Sequence, residues 1–287
     1  MLAAITLFAI MLGLGLGLRL EALGRIRERP GLFLRVVPAS CLVVPVVALL
    51  LLQLPIGQSL GEAARIGIAL MAISPSAPLT LRKAGAKGGD RELAALLQVV
   101  AALTAILSVP LMADLYRAAY HTSAWDIGST EVALQVGRTQ VLPLLLGMGV
   151  RHRLPDLADR LESPLNKVAN GLFLLLVVVV LVAAGPTLLP FLGRNADGVL
   201  LMLALVAFSL GLGYLLASRG RDERITVALV TSMRNPGLAL MFASTYGQGV
   251  VGLKVAVLAY LLVTVLLSIP FLKTLNRIEA GQAEPGG

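Results

Sequence analysis

The chain is short of charge: of its 287 residues only 14% are Asp, Glu, Lys or Arg, against 57% hydrophobic. A soluble domain of this length carries roughly 25% charge and 45–50% apolar residues, so a water-soluble globule is excluded. There is one cysteine, Cys41, which rules out an intramolecular disulfide. There are two histidines, His121 and His152, read into loops on opposite sides, so a zinc site of the usual His/Cys kind is not expected. No H-E-x-x-H, G-x-S-x-G or P-loop pattern occurs, which leaves enzymatic activity without a basis, and no cofactor is expected. Aromatic residues make up 5% and do not interleave with the basic ones. The net charge of +8 is therefore not the footprint of a nucleic-acid-binding protein.

What is present is a series of apolar blocks, each about 20 residues long, the length that crosses a hydrocarbon core of about 30 Å. From Leu172 to Ala184 there is no polar side chain. The blocks give nine expected spans, at 2–18, 31–53, 64–82, 92–113, 133–150, 165–185, 198–217, 225–246 and 249–272. The first has no basic segment before it and no small-residue cleavage site, so it reads as a span and not as a signal peptide. Eighteen of the 24 Lys and Arg fall on one side of this arrangement, including Arg19, Arg25, Arg91, Arg151 and Lys273. Five, Arg65, Arg117, Arg138, Arg194 and Lys254, fall on the other. The positive-inside rule then puts the N-terminus outside and the C-terminus in the cytoplasm.

Two correspondences relate the halves. Ser108-Val109-Pro110-Leu111 matches Ser268-Ile269-Pro270-Phe271, and Pro75 in the third span matches Pro236 in the eighth at nearly the same offset. The expectation is an all-α polytopic membrane protein with nine transmembrane helices. They form an inverted repeat of a five-helix unit lacking its first helix, with two broken helices crossing at the midplane. Such repeats are typical of secondary transporters, whose substrates bind where discontinuous helices meet. At 1.5 Å per residue both prolines fall about 15–18 Å deep. Ser74-Pro75 and Asn235-Pro236-Gly237 each read as an N-cap followed by proline at the first helical position, with Pro78 a further break residue.

One basic residue belongs to neither side. Arg234 lies inside the eighth span, immediately before its break, and none of the sixteen carboxylates falls mid-membrane beside it. A central arginine costs about 2.5–3.5 kcal/mol on insertion scales, so it marks a cavity or a partner. It suits an anionic substrate, or it is a fixed cation serving the carbonyl ends of half-helices. Arg234, Asn235, Ser232, Thr231, Ser74, Ser76, Thr80 and Gln98 form the candidate substrate site. The Gly13/Gly17 pair reads as a close helix contact.

The segment Ser232-Met233-Arg234-Asn235-Pro236-Gly237-Leu238-Ala239 resembles the crossover motif G-M-Q-N-S-G-L-A of the bile acid:sodium symporter family. Ser74-Pro75-Ser76-Ala77 is similar to the start of that family's first crossover, C-P-G-G-T-A-S-N. The resemblance implies a single transporter domain with a core (31–113 and 198–272) and a panel (2–18 and 133–185), while the terminal residues 278–287 themselves read as a flexible cytoplasmic tail. It also implies alternating access, the bilayer and a small anionic substrate being the partners. The Ala-, Leu-, Gly- and Arg-rich composition and compact loops suggest a bacterial inner membrane, and oligomeric state is left open. The family's sodium-binding glutamate falls on Val230, its glutamine on Arg234, and its Ser-Asn pair on Thr80 and Leu81. No metal site is therefore expected, and the guanidinium stands where sodium would. The expected function is sodium-independent transport of a small organic anion. The alternatives are a sodium-coupled symporter of bile-acid-like or carboxylate substrates, an efflux carrier, and a non-transporting receptor.

Overall fold

A chain in hydrocarbon must satisfy its own backbone, and α-helices do so segment by segment. The computed structural model describes residues 2–75, 84–85, 88–120, 128–218 and 220–282, and they contain helices and no strands. In chain order the main helices are α1 (Leu2–Gly17), α2 (Pro30–Gln53), α3 (Glu62–Ile73), α4 (Arg91–Tyr120), α5 (129–153), α6 (Pro155–Arg194), α7 (Ala196–Leu216), α8 (Arg221–Ser232), α9 (Pro236–Thr245) and α10 (Leu253–Gln282). Among the described residues six spans are long and apolar enough to cross a membrane, the pair α8–α9 counting as one, or seven if α1 and the short helix after it are taken together. Nine were expected. α1 has 16 residues and α3 has 12, each short of a span alone, while α5 carries Gln135, Arg138 and Gln140 along its middle.

Several helices run past the expected ends. α6 has 40 residues and stays helical through Pro164, Pro186 and Pro190. α10 continues to Gln282, so the segment read as a flexible tail begins as helix. α2 and α5 each contain a π-helical turn, at Ala39–Val43 and Gly137–Val141. Each lies just before a proline, Pro45 and Pro143. Proline lacks an N–H and its ring collides with the carbonyl four residues back, and the wider π turn relieves that collision.

Packing follows the glycines. α1 crosses α5 where Gly15 meets Gly147: a Cβ on Gly15 would lie 2.3 Å from the Leu144 carbonyl oxygen, and one on Gly147 2.4 Å from that of Leu12. α1 also runs along α6 and touches α9. Elsewhere Gly213 lets α7 close on Ala228 of α8, and Gly67 lets α3 close on Ala256 of α10. The Gly13/Gly17 pair does something different from bare helix contact. It makes room for side chains of α6, since a Cβ at Gly13 would sit 2.6 Å from Asn166 Oδ1 and one at Gly17 3.1 Å from Glu162 Oε1.

Candidate functional site

α8 ends at Ser232, and Met233, Arg234 and Asn235 are not helical before α9 begins at Pro236. α3 ends at Ile73, and Ser74 and Pro75 leave the helix. The two breaks touch: the Asn235 N–H donates to the Ser74 carbonyl at 3.0 Å. Asn235 also caps α9, its Oδ1 accepting from the Leu238 N–H at 3.1 Å, as its place before Pro236 leads one to expect. The Ser74 hydroxyl donates backwards to Leu70 O at 2.7 Å, tying off the end of α3. Ser76, Pro78, Thr80 and Leu81 lie outside the described residues, and with them the half-helix that Ser74 was expected to cap.

Arg234 is 1% exposed and its guanidinium is surrounded by neutral oxygens. Nε donates to Met71 O at 3.3 Å. Nη1 donates to Ser40 O at 3.0 Å and Ser40 Oγ at 3.2 Å, with Thr231 O at 3.5 Å. Nη2 donates to Ala72 O.

Prolines and helix ends explain why these oxygens are available. In the π turn of α2, Val44 donates to Ala39. The next residue, Pro45, has no N–H, so Ser40 O loses its helical donor. Met71 would bond residue 75, which is Pro75, and keeps only the Ser74 N–H at 3.1 Å. Thr231 would bond the Asn235 N–H, which is spent on Ser74. One guanidinium with five donors replaces what these breaks remove, and helix C-termini favour a cation.

The remaining candidates divide. Thr231 Oγ1 donates to Val227 O at 2.8 Å and Ser232 Oγ to Leu229 O at 3.4 Å, so both hydroxyls are turned back onto their own helix. Gln98 stands apart, on α4, and lines a cavity that Arg234, Asn235, Ser74, Thr231 and Ser232 do not. This cavity, about 540 Å³, opens between α1, the start of α4 and α6, near Arg19, Arg91, Glu92 and Glu162. Two further cavities, about 290 and 460 Å³, lie at the other end of the bundle around Lys254.

Charged clusters flank the large cavity. Arg151 donates to Leu16 O, Asp159 and Glu162, linking α5, α1 and α6. Arg25 holds Asp90 at 2.8 Å and Glu92 at 2.9 Å, and Arg29 holds Glu223. The Arg151 guanidinium beside Asp159 holds that carboxyl below its ordinary range.

Three features were not singled out from the sequence: Ser40 with its flanking Pro38 and Pro45, the cavity, and the polar side chains Glu162, Asn166 and Asn170. The spacing of those last three, four residues apart, places them on one helix face and was a readable signal. A hard cation would find no carboxylate at position 230, which is a buried valine, and would find the carbonyls of Met71, Ala72 and Thr231 already bonded. Among the described residues no group of three His, Cys, Asp or Glu could hold a metal ion.

A family model described as the Sodium Bile acid symporter family matches residues 4–190, well over half of the chain. No curated protein matches it.

Proposed function

This chain belongs to the sodium bile acid symporter family, and we propose that it carries a small organic anion by alternating access without sodium, Arg234 being the tethered cation. The family is one of membrane transporters, so the chain is an integral membrane carrier and not an enzyme. The observation that supports sodium independence is the full enclosure of Arg234 by carbonyl and hydroxyl oxygens from α2, α3 and α8. A monovalent ion would serve the same free carbonyls; here a covalently fixed charge does, and a fixed charge cannot be released to either compartment. Valine at position 230 supports the same reading.

In this reading nine helices make an inverted repeat, with the N-terminus outside and the C-terminus in the cytoplasm of a bacterial cell. α1, α5 and α6 form a panel, and α2–α4 with α7–α10 form the core. The contact between Gln135 Nε2 and Thr245 Oγ1 at 3.3 Å joins the two near the outer surface. The large cavity separates α1 and α6 from α4 at the cytoplasmic end. This is an inward-open arrangement, in which substrate reaches the cavity from the cytoplasm and rocking of panel against core carries it across. A site near the breaks, with Asn235 and Ser74, is then the inner end of that path.

The family name favours one other reading, a sodium-coupled symporter. Uptake of a panel of small carboxylates into proteoliposomes, with and without a sodium gradient, separates the two. Flux that ignores sodium in the wild type and collapses in Arg234→Gln supports the tethered cation. Flux that rises with sodium in the wild type sinks it.

A further inference from the structure

We infer that the cavity between α1, α4 and α6 takes a substrate that bears, besides its anionic group, an uncharged group able both to donate and to accept hydrogen bonds, and that Gln98 reads that group. The inference rests on the carrier reading above and names the substrate class for the cavity on its path: a hydroxy acid or an amide-bearing acid.

The charges at the cavity mouth are unevenly committed. Glu92 is bonded by Arg25 at 2.9 Å and Glu162 by Arg151 at 2.8 Å. Arg19 and Arg91 line the same cavity, and among the described residues neither donates a hydrogen bond to a carboxylate. Arg19 feels the Asp159 carboxylate only through space, so its donors and those of Arg91 are the ones that an anionic substrate would meet.

Further in, charge gives way to amides. Gln98 is 1% exposed, yet neither its Oε1 nor its Nε2 has a hydrogen-bond partner among the described residues. A buried amide left unpaired carries the full cost of its lost hydration, so a Gln held this way is out of place unless something completes it. Across the cavity α6 presents Asn166, and α1 is cut back to glycine at position 13 where a Cβ would strike the Asn166 Oδ1. Both walls therefore offer primary amides, each with donors and an acceptor.

The chemistry of an amide selects its complement. A carboxylate would satisfy Nε2 of Gln98 and leave Oε1 without a donor. An apolar group would leave both unpaired. A hydroxyl or a carboxamide satisfies both atoms, and a site built to bond such a group discriminates strongly against an analogue that lacks it.

The test uses the purified full-length protein and three matched pairs: lactate with propionate, mandelate with phenylacetate, and succinamate with butyrate. Ligand-induced shift of the unfolding midpoint and uptake into proteoliposomes are both read. In the wild type the hydroxyl or amide member of a pair is preferred by about 10-fold or more. Gln98→Leu, with Gln98→Met as the closer match in shape, raises the midpoint of the ligand-free protein and abolishes that preference. Equal response to both members in the wild type overturns the inference while leaving the carrier reading intact. So does a fall in the ligand-free midpoint of both variants, which would mark Gln98 as a structural bond. Absence of any carboxylate flux or binding overturns the carrier reading, and this inference with it.

Discussion

The N–H of Asn235 donates to the carbonyl of Ser74 at 3.0 Å, so the break before α9 is hydrogen-bonded to the break after α3. Residues 161 positions apart thus share one backbone bond deep in an apolar bundle. The bond also has a consequence for Arg234. Because Asn235 spends its N–H on Ser74, Thr231 is left without its helical donor and receives the guanidinium instead.

Arg234 carries the largest predicted stability effect. Arg234→Met removes the guanidinium from Ser40, Met71, Ala72 and Thr231 at once; Met71 O keeps the Ser74 N–H, and each buried acceptor left unpaired costs about 1–3 kcal/mol. We expect a loss of about 3 kcal/mol or more, measured as a fall in the unfolding midpoint in detergent. Arg234→Lys keeps the charge without the planar fork and is expected to fall between the two. An unchanged midpoint in Arg234→Met would show that these oxygens do not depend on the guanidinium.

If the fixed cation stands in for a mobile one, the exchange is reversible by substitution. The double variant Val230→Glu with Arg234→Gln restores a carboxylate and frees the carbonyls of Met71 and Ala72. Its uptake is expected to require sodium, whereas Arg234→Gln alone is inactive with or without it. Equal flux of the double variant in sodium and in potassium would argue against the exchange.

Asn235 has two separable roles, because its N–H serves Ser74 and its side chain serves Leu238. Asn235→Ala deletes the cap alone and is expected to cost about 1 kcal/mol, with Asn235→Ser or Asn235→Asp restoring most of it. A calorimetric series on the three variants checks the order.

Close packing of α1 on α5 predicts intolerance of even one methyl group. Gly147→Ala would put Cβ 2.4 Å from the Leu12 carbonyl oxygen, a backbone atom that cannot swing away. A loss of about 1–3 kcal/mol is expected. Gly149→Ala, two residues on, meets nothing within 4 Å and serves as the neutral control.

Acid sensitivity has a defined sign at the Arg151 cluster. Asp159 is held below its ordinary value, chiefly by its hydrogen bond from Arg151. A depressed carboxyl contributes stability that is present above its unfolded value, about 3.9, and is lost as pH falls through the folded one. Asp159→Asn is therefore expected to flatten the decline of the unfolding midpoint below about pH 4. The effect is small, since Asp159 is largely open to water. A slope identical to the wild type would remove Asp159 from the acid response.

Much of the arrangement is legible in the amino-acid sequence. Long apolar blocks and scarce charge dictate a helical membrane protein, because a block of about 20 apolar residues matches a helix across hydrocarbon, where a barrel strand needs only about 10. Proline dictates where helices must open, and Asn235-Pro236 marked the start of α9 to the residue. Proline alone does not dictate a break, however. Pro164, Pro186 and Pro190 lie inside unbroken α6, and Pro110 and Pro270 inside α4 and α10. A helix absorbs an isolated proline when its neighbours supply the missing hydrogen bonds.

The candidate site divided along the same line. Sequence alone singled out Arg234 as a charge that needed partners, since any central arginine does. It left two readings open, an anion binder or a cap for carbonyls, and it put Gln98 in the same group as Arg234. Only the tertiary structure brought Ser40, Met71 and Ala72 around the guanidinium and set Gln98 apart on a cavity wall. The reason is physical: a side chain's partners depend on which helices cross it, and those crossings are made by contacts such as Gly15 on Gly147, 132 residues apart. Local sequence determines that a carbonyl is free, and the packing of distant helices decides what reaches it.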